Sequence, residues 1–406
     1  MPWRAVSVMD EKLQFVADWL REAEPKTVLC ERYGISRQTG YALWRRYEAE
    51  GPGGLVERSR APHRHGRAMP AELAVRIIEA RKKKPYWGPK KLLAILREET
   101  PQAPWPSASS ASELLRREGM SQPRRKKRRT LTVEQPFAQV SAPNDGWCID
   151  FKGWFLIGDG RRCDPLTVSD AFSRMLLGLE AMRPIGPKVQ AKMDELFRQH
   201  GLPKAIRSDN GSPFAGTGAG GLTRISARWA KMGIRLERIE PGKPQQNGRH
   251  ERMHGTLKPE ACQPPSATLK DQQARFDAFR AEYNHERPHE ALGLIPPARL
   301  YVPSPRPFPE RLDDPGYDPD EQVRRVRTDG QIKWKGSMIF VSEALVGEAV
   351  GVRLRQDGHW LVRFADVPLL LIDRTTEKIA RFGPGRPPRP KATRLNAPEV
   401  SGIYPG

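Results

Sequence analysis

The stretch that most restricts the fold is a short apolar run that ends in a polar turn, Ile206-Arg-Ser-Asp-Asn-Gly-Ser-Pro-Phe214. Ala205 and Ile206 are apolar, and the residues from Ser208 to Gly211 are turn formers, so the pattern predicts a buried strand that stops at Asp209. A carboxylate at the end of a strand can point into the crevice where ligands of α/β proteins bind. An ordinary Asx turn is the plainer interpretation of this stretch alone.

Two further carboxylates lie in patterns that raise the same question. In Trp147-Cys-Ile-Asp-Phe151 a period of two puts Asp150 on the strand face opposite the aromatic residues, and an unpaired acid within a strand is costly. Glu251 follows a Pro/Gly-rich loop, in a predicted helix that places Glu251, His254 and Lys258 on one face. An edge strand and a solvated helix face are the ordinary alternatives.

Together these stretches resemble the Asp-Asp-Glu core of insertion-sequence transposases and retroviral-type integrases. The resemblance rests on Trp147-Cys-Ile-Asp-Phe151, Ser208-Asp-Asn-Gly-Ser-Pro-Phe214, Pro241-Gly-Lys-Pro-Gln-Gln-Asn-Gly-Arg-His-Glu-Arg252 and Tyr283-Asn-His-Glu-Arg-Pro-His-Glu-Ala-Leu-Gly293. It covers residues 142–302 and implies a ribonuclease-H-like catalytic core, a mixed sheet flanked by helices, within a multidomain α/β protein. It also implies that Asp150, Asp209 and Glu251 are catalytic and hold two Mg²⁺ ions, with Mn²⁺ as an alternative.

The resemblance implies a DNA transposase that binds terminal inverted repeats, cleaves DNA at the element ends and joins the freed 3′-OH to target DNA. The expected partners are double-stranded DNA and further copies of the chain, because two element ends must be joined at once. One departure concerns spacing: 41 residues separate Asp209 from Glu251, more than is usual in the family. A surface-loop insertion at Gly216–Gly221 would accommodate the difference.

Two helical regions, residues 1–60 and 66–122, resemble the tandem helix-turn-helix DNA-binding domains of the same transposases. In the first, Val8 to Glu50 form three predicted helices, and Ser36 is a suitable N-cap for the third. A plain helical bundle is the alternative. The predicted DNA contacts lie at and beyond the start of the third helix, at Arg37, Gln38, Thr39, Tyr41, Arg45 and Arg46.

The remaining segments are predicted to connect the domains or to extend them. Residues 123–141 form a basic linker, residues 303–322 a Pro-rich linker, residues 323–380 a small β-barrel and residues 381–406 a disordered tail. Lys258 and His254 are predicted to touch DNA near the scissile phosphate. A run in the first linker is predicted to lie along phosphates or in a minor groove: Arg124, Arg125, Lys126, Lys127, Arg128 and Arg129.

Composition favours a nucleic-acid partner. The net charge is +21 and the isoelectric point about 10.1, with the positive charge denser toward the N-terminal end. Four scattered cysteines include no C-x-x-C pair, which argues against a zinc ribbon and a disulfide framework. No apolar run reaches membrane-spanning length, so we expect a cytoplasmic, DNA-associated protein without a membrane partner, in the nucleoid of a bacterium.

Two other functions remain open at this stage. The sequence His250-Glu-Arg-Met-His254 fits the zinc-protease pattern H-E-x-x-H, in which both histidines bind zinc and Glu251 is the base. That interpretation leaves the basic helical regions and the other two carboxylates unexplained. The second alternative is a DNA-binding repressor derived from a transposase and catalytically inactive. The presence of all three carboxylates disfavours it.

Overall fold

The computed structural model describes residues 7–58, 69–121, 140–240 and 248–383. Contacts divide the chain into two compact units, Met1–Pro70 and Ala71–Gly406, and the finer domain boundaries stay a prediction. The predicted basic run Arg124–Arg129 and all but the first three residues of the predicted tail lie outside the described ranges. Within those ranges, no helix is long and apolar enough to cross a membrane.

The first unit is a three-helix module, as the sequence predicts. Ser36 caps the third helix, since its hydroxyl oxygen accepts a hydrogen bond from the Thr39 amide at 3.2 Å. Gly40 lets the helices approach closely, because a β-carbon there would lie 2.6 Å from the Cys30 Sγ. The helices are α1 Val8–Arg21, α2 Lys26–Arg32 and α3 Arg37–Glu50.

The second unit begins with another three-helix module, and this module packs against the domain that follows. The buried Trp87 donates its indole hydrogen to Glu282 at 3.1 Å. Lys84 lies 2.9 Å from Glu282 and 2.7 Å from Glu286. The module consists of α4 Ala71–Lys83, α5 Pro89–Glu99 and α6 Ala108–Arg117.

A mixed sheet forms the centre of the second unit. Its strand order is β4-β3-β1-β5-β6, with the short β2 paired to the beginning of β3. Strand β1 is antiparallel to β3 and parallel to β5, and β5 is parallel to β6. The strands are β1 Trp147–Phe151, β2 Phe155–Leu156, β3 Arg162–Asp170, β4 Leu176–Met182, β5 Ala205–Ser208 and β6 Arg235–Arg238.

Helices cover both faces of this sheet. On one face, Trp147 and Ile149 pack against the first two helices of the domain. On the other face, the last two helices contribute Met253, Leu257 and Phe276 to a second apolar core. The helices are α7 Gly186–His200, α8 Arg224–Lys231, α9 Gly248–Leu257 and α10 Leu269–His285. The result is the helix–sheet–helix arrangement expected of a ribonuclease-H-like core.

The segment predicted as a Pro-rich linker lies against the core instead of bridging freely to the next domain. The Arg306 guanidinium donates hydrogen bonds to the carbonyls of Pro203 and Met232 at 2.8 and 3.0 Å. Phe308 stacks on Phe197 with ring centroids 6.3 Å apart. Proline gives this segment an extended backbone, and these contacts fix it across the ends of α7 and α8.

The predicted small barrel takes the form of a five-stranded antiparallel sheet, ordered β13-β12-β11-β10-β7, with the hairpin β8-β9. Its apolar core also contains Leu222, Ala227 and Ala230 from around α8. Gly220, in the predicted insertion, donates its amide hydrogen to the Phe382 carbonyl at 2.8 Å. The strands are β7 Gln322–Arg325, β8 Gln331–Trp334, β9 Ser337–Phe340, β10 Ala349–Leu354, β11 His359–Phe364, β12 Val367–Asp373 and β13 Ile379–Arg381.

Candidate active site

Asp150 lies on β1 in the middle of the sheet, directly opposite Thr167 of β3. Because side chains alternate along a strand, it points away from the face that Trp147 and Ile149 bury and toward the face that α9 covers. The carboxyl group is therefore enclosed between the sheet and α9 and is only partly accessible to water.

Asp209 follows β5 directly, as the sequence predicts. It also forms the Asx turn that was the plainer interpretation, since its Oδ1 accepts a hydrogen bond from the Gly211 amide at 3.1 Å. The turn is fixed from both sides. Asn210 donates to the Ile239 carbonyl at 2.6 Å, and Phe214 stacks on Phe151 of β1 with centroids 5.8 Å apart. These contacts hold Asp209 beside the strand that carries Asp150.

Glu251 lies in the first turn of α9 with its side chain exposed. Strand β1 pairs with β5, with Trp147 opposite Ile206 and Cys148 opposite Arg207, so Asp150 and Asp209 lie at neighbouring positions of this pair. Burial, together with the negative charges of Asp209 and Glu251, raises the pKa of Asp150 to about 7. A gathering of like charges around a half-buried carboxyl group is an unfavourable arrangement that a bound cation would relieve.

The carboxylates supply the oxygen donors that Mg²⁺ prefers, so their chemistry fits a magnesium site. Their geometry is open, however. Across the four described ranges, no three acidic, histidine or cysteine side chains stand close enough together to hold one ion in common. The side chains must therefore draw together for all three to share ions.

His250 and His254 face the sheet, and both are buried. The Nε2 atoms of His250 and His254 lie 2.7 and 2.8 Å from the Thr167 hydroxyl oxygen. Two predictions are corrected by this arrangement. His254 does not share the exposed face of Glu251 and Lys258, so it is not available to touch DNA. Three of the four ring nitrogen atoms of the two histidines also contact the hydroxyl groups of Thr167 or Ser169, which argues against the protease interpretation.

Comparison with known proteins agrees with this architecture. Residues 140–244 and 232–297 match the family described as integrase core domain. Residues 11–63 match a helix-turn-helix domain, residues 39–115 a homeodomain-like domain, and residues 321–380 the C-terminal domain of IS481 family transposases. An uncharacterized 31.7 kDa protein of insertion element IS407 from Burkholderia multivorans is 32% identical over 232 residues, which are 56% of this chain and 80% of the relative.

The chain belongs to the insertion-sequence transposases of the Asp-Asp-Glu type. Another relative in this family, an uncharacterized 39.2 kDa protein of insertion element IS476 from Xanthomonas euvesicatoria, is 31% identical over 56% of the chain and 64% of its own length. The integrase core places the transposase chain in the polynucleotidyl transferase superfamily and associates it with DNA transposition.

Solved structures of retroviral integrases are also similar to this transposase. The HTLV-2 integrase catalytic core in complex with magnesium is 14% identical, with a TM-score of 0.31 over 40% of this chain and 98% of its own. An intasome of simian T-cell lymphotropic virus in complex with the PP2A regulatory subunit B56 gamma is 15% identical, with a TM-score of 0.36 over 76% of this chain and 100% of its own.

The side chains predicted to read DNA in this transposase have different surroundings. Arg46 is half-buried and donates a hydrogen bond to the Val56 carbonyl, so it connects α3 to the following segment, and its contact with DNA stays a prediction. Tyr41 is exposed at its edge and packs against Trp19 with centroids 5.0 Å apart. The other four are exposed on α3: Arg37, Gln38, Thr39 and Arg45.

Sequence patterns missed a basic cleft next to α9. It has a volume of about 360 Å³, and its lining includes Lys91 of α5, Arg174, Arg252 of α9 and Arg287, against one acid, Glu290. Burial, together with the positive charge of Arg287, lowers the pKa of Lys91 to about 8. The only sequence signal was the pair of lysines at the start of α5, because the cleft exists only once that helix packs on the core.

Proposed function

We propose that this chain is an active transposase that cleaves DNA at the element ends and transfers the freed 3′-OH to target DNA. The observation that carries the proposal is the placement of Asp150 on β1 beside Asp209, which directly follows the neighbouring parallel strand β5. The raised pKa of Asp150, which results from burial and from the charges of Asp209 and Glu251, agrees with it. Glu251 comes from α9, which covers the same face of the sheet. Structural carboxylates are ordinarily paired with bases, whereas these gather together.

The proposed reaction has two phosphoryl-transfer steps. Water first hydrolyses a phosphodiester bond at the element end, which frees a 3′-OH. The oxygen of that hydroxyl group then attacks a target phosphodiester in line, and the 3′-oxygen of the target strand leaves. Asp150, Asp209 and Glu251 would hold the divalent ions, with Asp150 and Asp209 supplied by neighbouring segments and Glu251 by α9. Divalent ions held there would activate the attacking oxygen and stabilise the leaving one.

Replacing Asp209 with asparagine tests this proposal. We expect Asp209→Asn to abolish both cleavage and strand transfer on terminal-repeat DNA in Mg²⁺, while binding to the repeat is kept, because the reading helices lie elsewhere. The exposed Asp313→Asn is the matched control and should retain full activity. Binding by the wild type without any metal-dependent cleavage would contradict the proposal and indicate the repressor.

The basic cleft supports a path for DNA beside α9, and Lys91→Gln tests it. Loss of one cation next to a phosphate should weaken DNA binding about threefold to tenfold and lower the slope of log affinity against log salt by about one. Lys192→Gln is the control. Lys192 lies on α7 and pairs with Glu180 at 2.9 Å, so it is not a residue of the basic cleft. Equal affinities and equal slopes for Lys91→Gln and the wild type would exclude this path.

The proposed function also requires oligomers on DNA, because one reaction joins two element ends to one target. The exposed residues of α3 would read the terminal repeat, and Lys258, exposed at the end of α9, would approach the scissile phosphate. The affiliation of the chain with integrase cores and helix-turn-helix domains supports these assignments.

A further inference from the structure

One hydroxyl group connects the strand of Asp150 to the helix of Glu251. The Thr167 Oγ1 lies 2.9 Å from the backbone carbonyl oxygen of Asp150. The same oxygen lies 2.7 Å from the Nε2 of His250 and 2.8 Å from the Nε2 of His254. The His250 Nδ1 lies 2.8 Å from the Ser169 hydroxyl oxygen. All these contacts are in the buried layer between the sheet and α9.

Counting protons fixes the direction of each bond. A carbonyl oxygen only accepts, so the single hydroxyl hydrogen of Thr167 goes to the Asp150 carbonyl. The two remaining lone pairs of that hydroxyl oxygen accept from both histidines, so His250 and His254 carry their hydrogen on Nε2. The His250 Nδ1 is then an acceptor, and Ser169 donates to it. Both rings are buried, which favours the neutral form.

This network supplies polar contacts between α9 and the sheet, in addition to the apolar contacts of the helix. The second half of the helix is held by apolar packing of Met253 and Leu257. The first turn carries the exposed Glu251, and His250 on one side of it and His254 one turn later carry the polar contacts to β3. The two histidine rings also pack edge to face, with centroids 4.7 Å apart.

We propose that His250, His254 and Thr167 form a positioning clamp that sets the height and rotation of α9, and with them the place of Glu251 relative to Asp150. The idea rests on the proposed function, because it assigns a role toward the acids of that site. The clamp residues are positioning residues, since they lie buried between α9 and the sheet, whereas Glu251 is exposed. The histidines thus take a role different from the zinc ligands of the H-E-x-x-H pattern.

The test compares Thr167→Val with Thr167→Ser. Valine keeps the shape and removes the hydroxyl group, which leaves two N–H groups and one carbonyl without their partner. Serine keeps the hydroxyl group, so Thr167→Ser should retain the hydrogen bonds and the cleavage activity. We expect Thr167→Val to lower kcat for end cleavage about 10- to 100-fold, with KM for DNA unchanged, and Thr167→Ser to stay within about threefold of the wild type.

Two readouts do not depend on cleavage. Selective ¹⁵N labelling of histidine should show both clamp rings as Nε2–H tautomers in the wild type and in Thr167→Ser, and altered signals in Thr167→Val. Mn²⁺ affinity should fall about tenfold in Thr167→Val alone. The clamp would be overturned if the wild type showed Nδ1–H tautomers. It would also be overturned if folded Thr167→Val kept the Mn²⁺ affinity and the α9 amide exchange of the wild type. An inactive wild type with these signatures intact would overturn only the proposed function.

Discussion

Asp150→Asn is expected to abolish DNA cleavage and, at the same time, to stabilise the metal-free protein at pH 8. The amide cannot bridge ions, so the loss of activity should exceed about a thousandfold. The gain in stability has a separate cause. At pH 8 the wild-type carboxylate is charged although it is buried and faces Asp209 and Glu251, and the amide removes both penalties.

The direction of the pH dependence follows from the raised pKa. An Asp carboxyl with a pKa near 4 when unfolded and about 7 when folded binds its proton more tightly in the folded state. Its contribution to stability is therefore complete below about pH 4 and is lost as the pH rises through about 7. A shift of about three pKa units corresponds to about 4 kcal/mol, so we expect Asp150→Asn to unfold with a free energy higher than the wild type by about that amount at pH 8 and with little difference near pH 4.

Denaturant unfolding in EDTA at pH 5 and pH 8 measures this difference. Added Mg²⁺ should stabilise the wild type at pH 8 and have little effect on Asp150→Asn, because ligands that bind the folded state stabilise it. Asp313→Asn serves as the control. Because the Asp313 carboxylate is exposed, this substitution should change neither the pH dependence of stability nor the effect of Mg²⁺. Parallel pH dependences for Asp150→Asn and the wild type would show that the three acids do not act on one another.

The second large effect is expected from Glu260→Ala. The Arg287 guanidinium forms two hydrogen bonds with the Glu260 carboxylate, at 2.7 and 2.8 Å, and the side chains are only 5% and 10% exposed. Removal of the carboxylate leaves a buried charge without its partner. We expect the free energy of unfolding to fall by about 3 to 5 kcal/mol.

The double variant Glu260→Leu/Arg287→Met separates this cause from a simple loss of contact. It removes both charges and fills the space with apolar atoms, so it should recover most of the stability that Glu260→Ala loses. Chemical denaturation followed by tryptophan fluorescence measures both variants, because Trp87 lies beside Arg287 at 5.7 Å. A double variant as unstable as Glu260→Ala would show that the charge itself is not responsible.

Local patterns predicted the central strands and two of the acids well. Alternation in Trp147–Phe151 placed the aromatic side chains and Asp150 on opposite faces, and the contacts confirm this. Turn formers after Ile206 predicted the end of β5 correctly. Periodicity and turn chemistry are local, and the residues that decide these features are neighbours in sequence.

The features that the sequence did not predict depend on distant partners. Three of the four residues of β6, Arg235-Leu-Glu-Arg238, are charged, so the sequence lacks the apolar pattern that predicts a strand. It is stable because Glu237 pairs with Arg207 of β5 at 3.0 Å. Helical spacing alone likewise predicted that His254 is exposed with Glu251. The Thr167 hydroxyl, 87 residues earlier, accepts its hydrogen bond inside the protein.

The motif near the end of the core shows the same limit. The segment from Tyr283 to Gly293 is part of the family resemblance, but the sequence alone offers no physical reason for the residue types in it. In the structure the Asn284 amide pairs with the backbone of Leu176, accepting at 2.8 Å and donating at 2.9 Å. Arg287 binds Glu260. Both roles connect α10 and its end to elements that lie far away in the chain.

The C-terminal sheet completes its apolar core with Leu222, Ala227 and Ala230, which belong to the catalytic domain. The C-terminal sheet and the domain that contains α8 therefore cannot be exchanged independently of each other. A hybrid that joins this core to the C-terminal region of a distant relative would have to match the shape of α8 as well as the new junction. Substitutions on the two sides of this shared apolar core should therefore be coupled in their effect on stability. We expect the region after residue 320 to diverge together with the central domain and not independently of it.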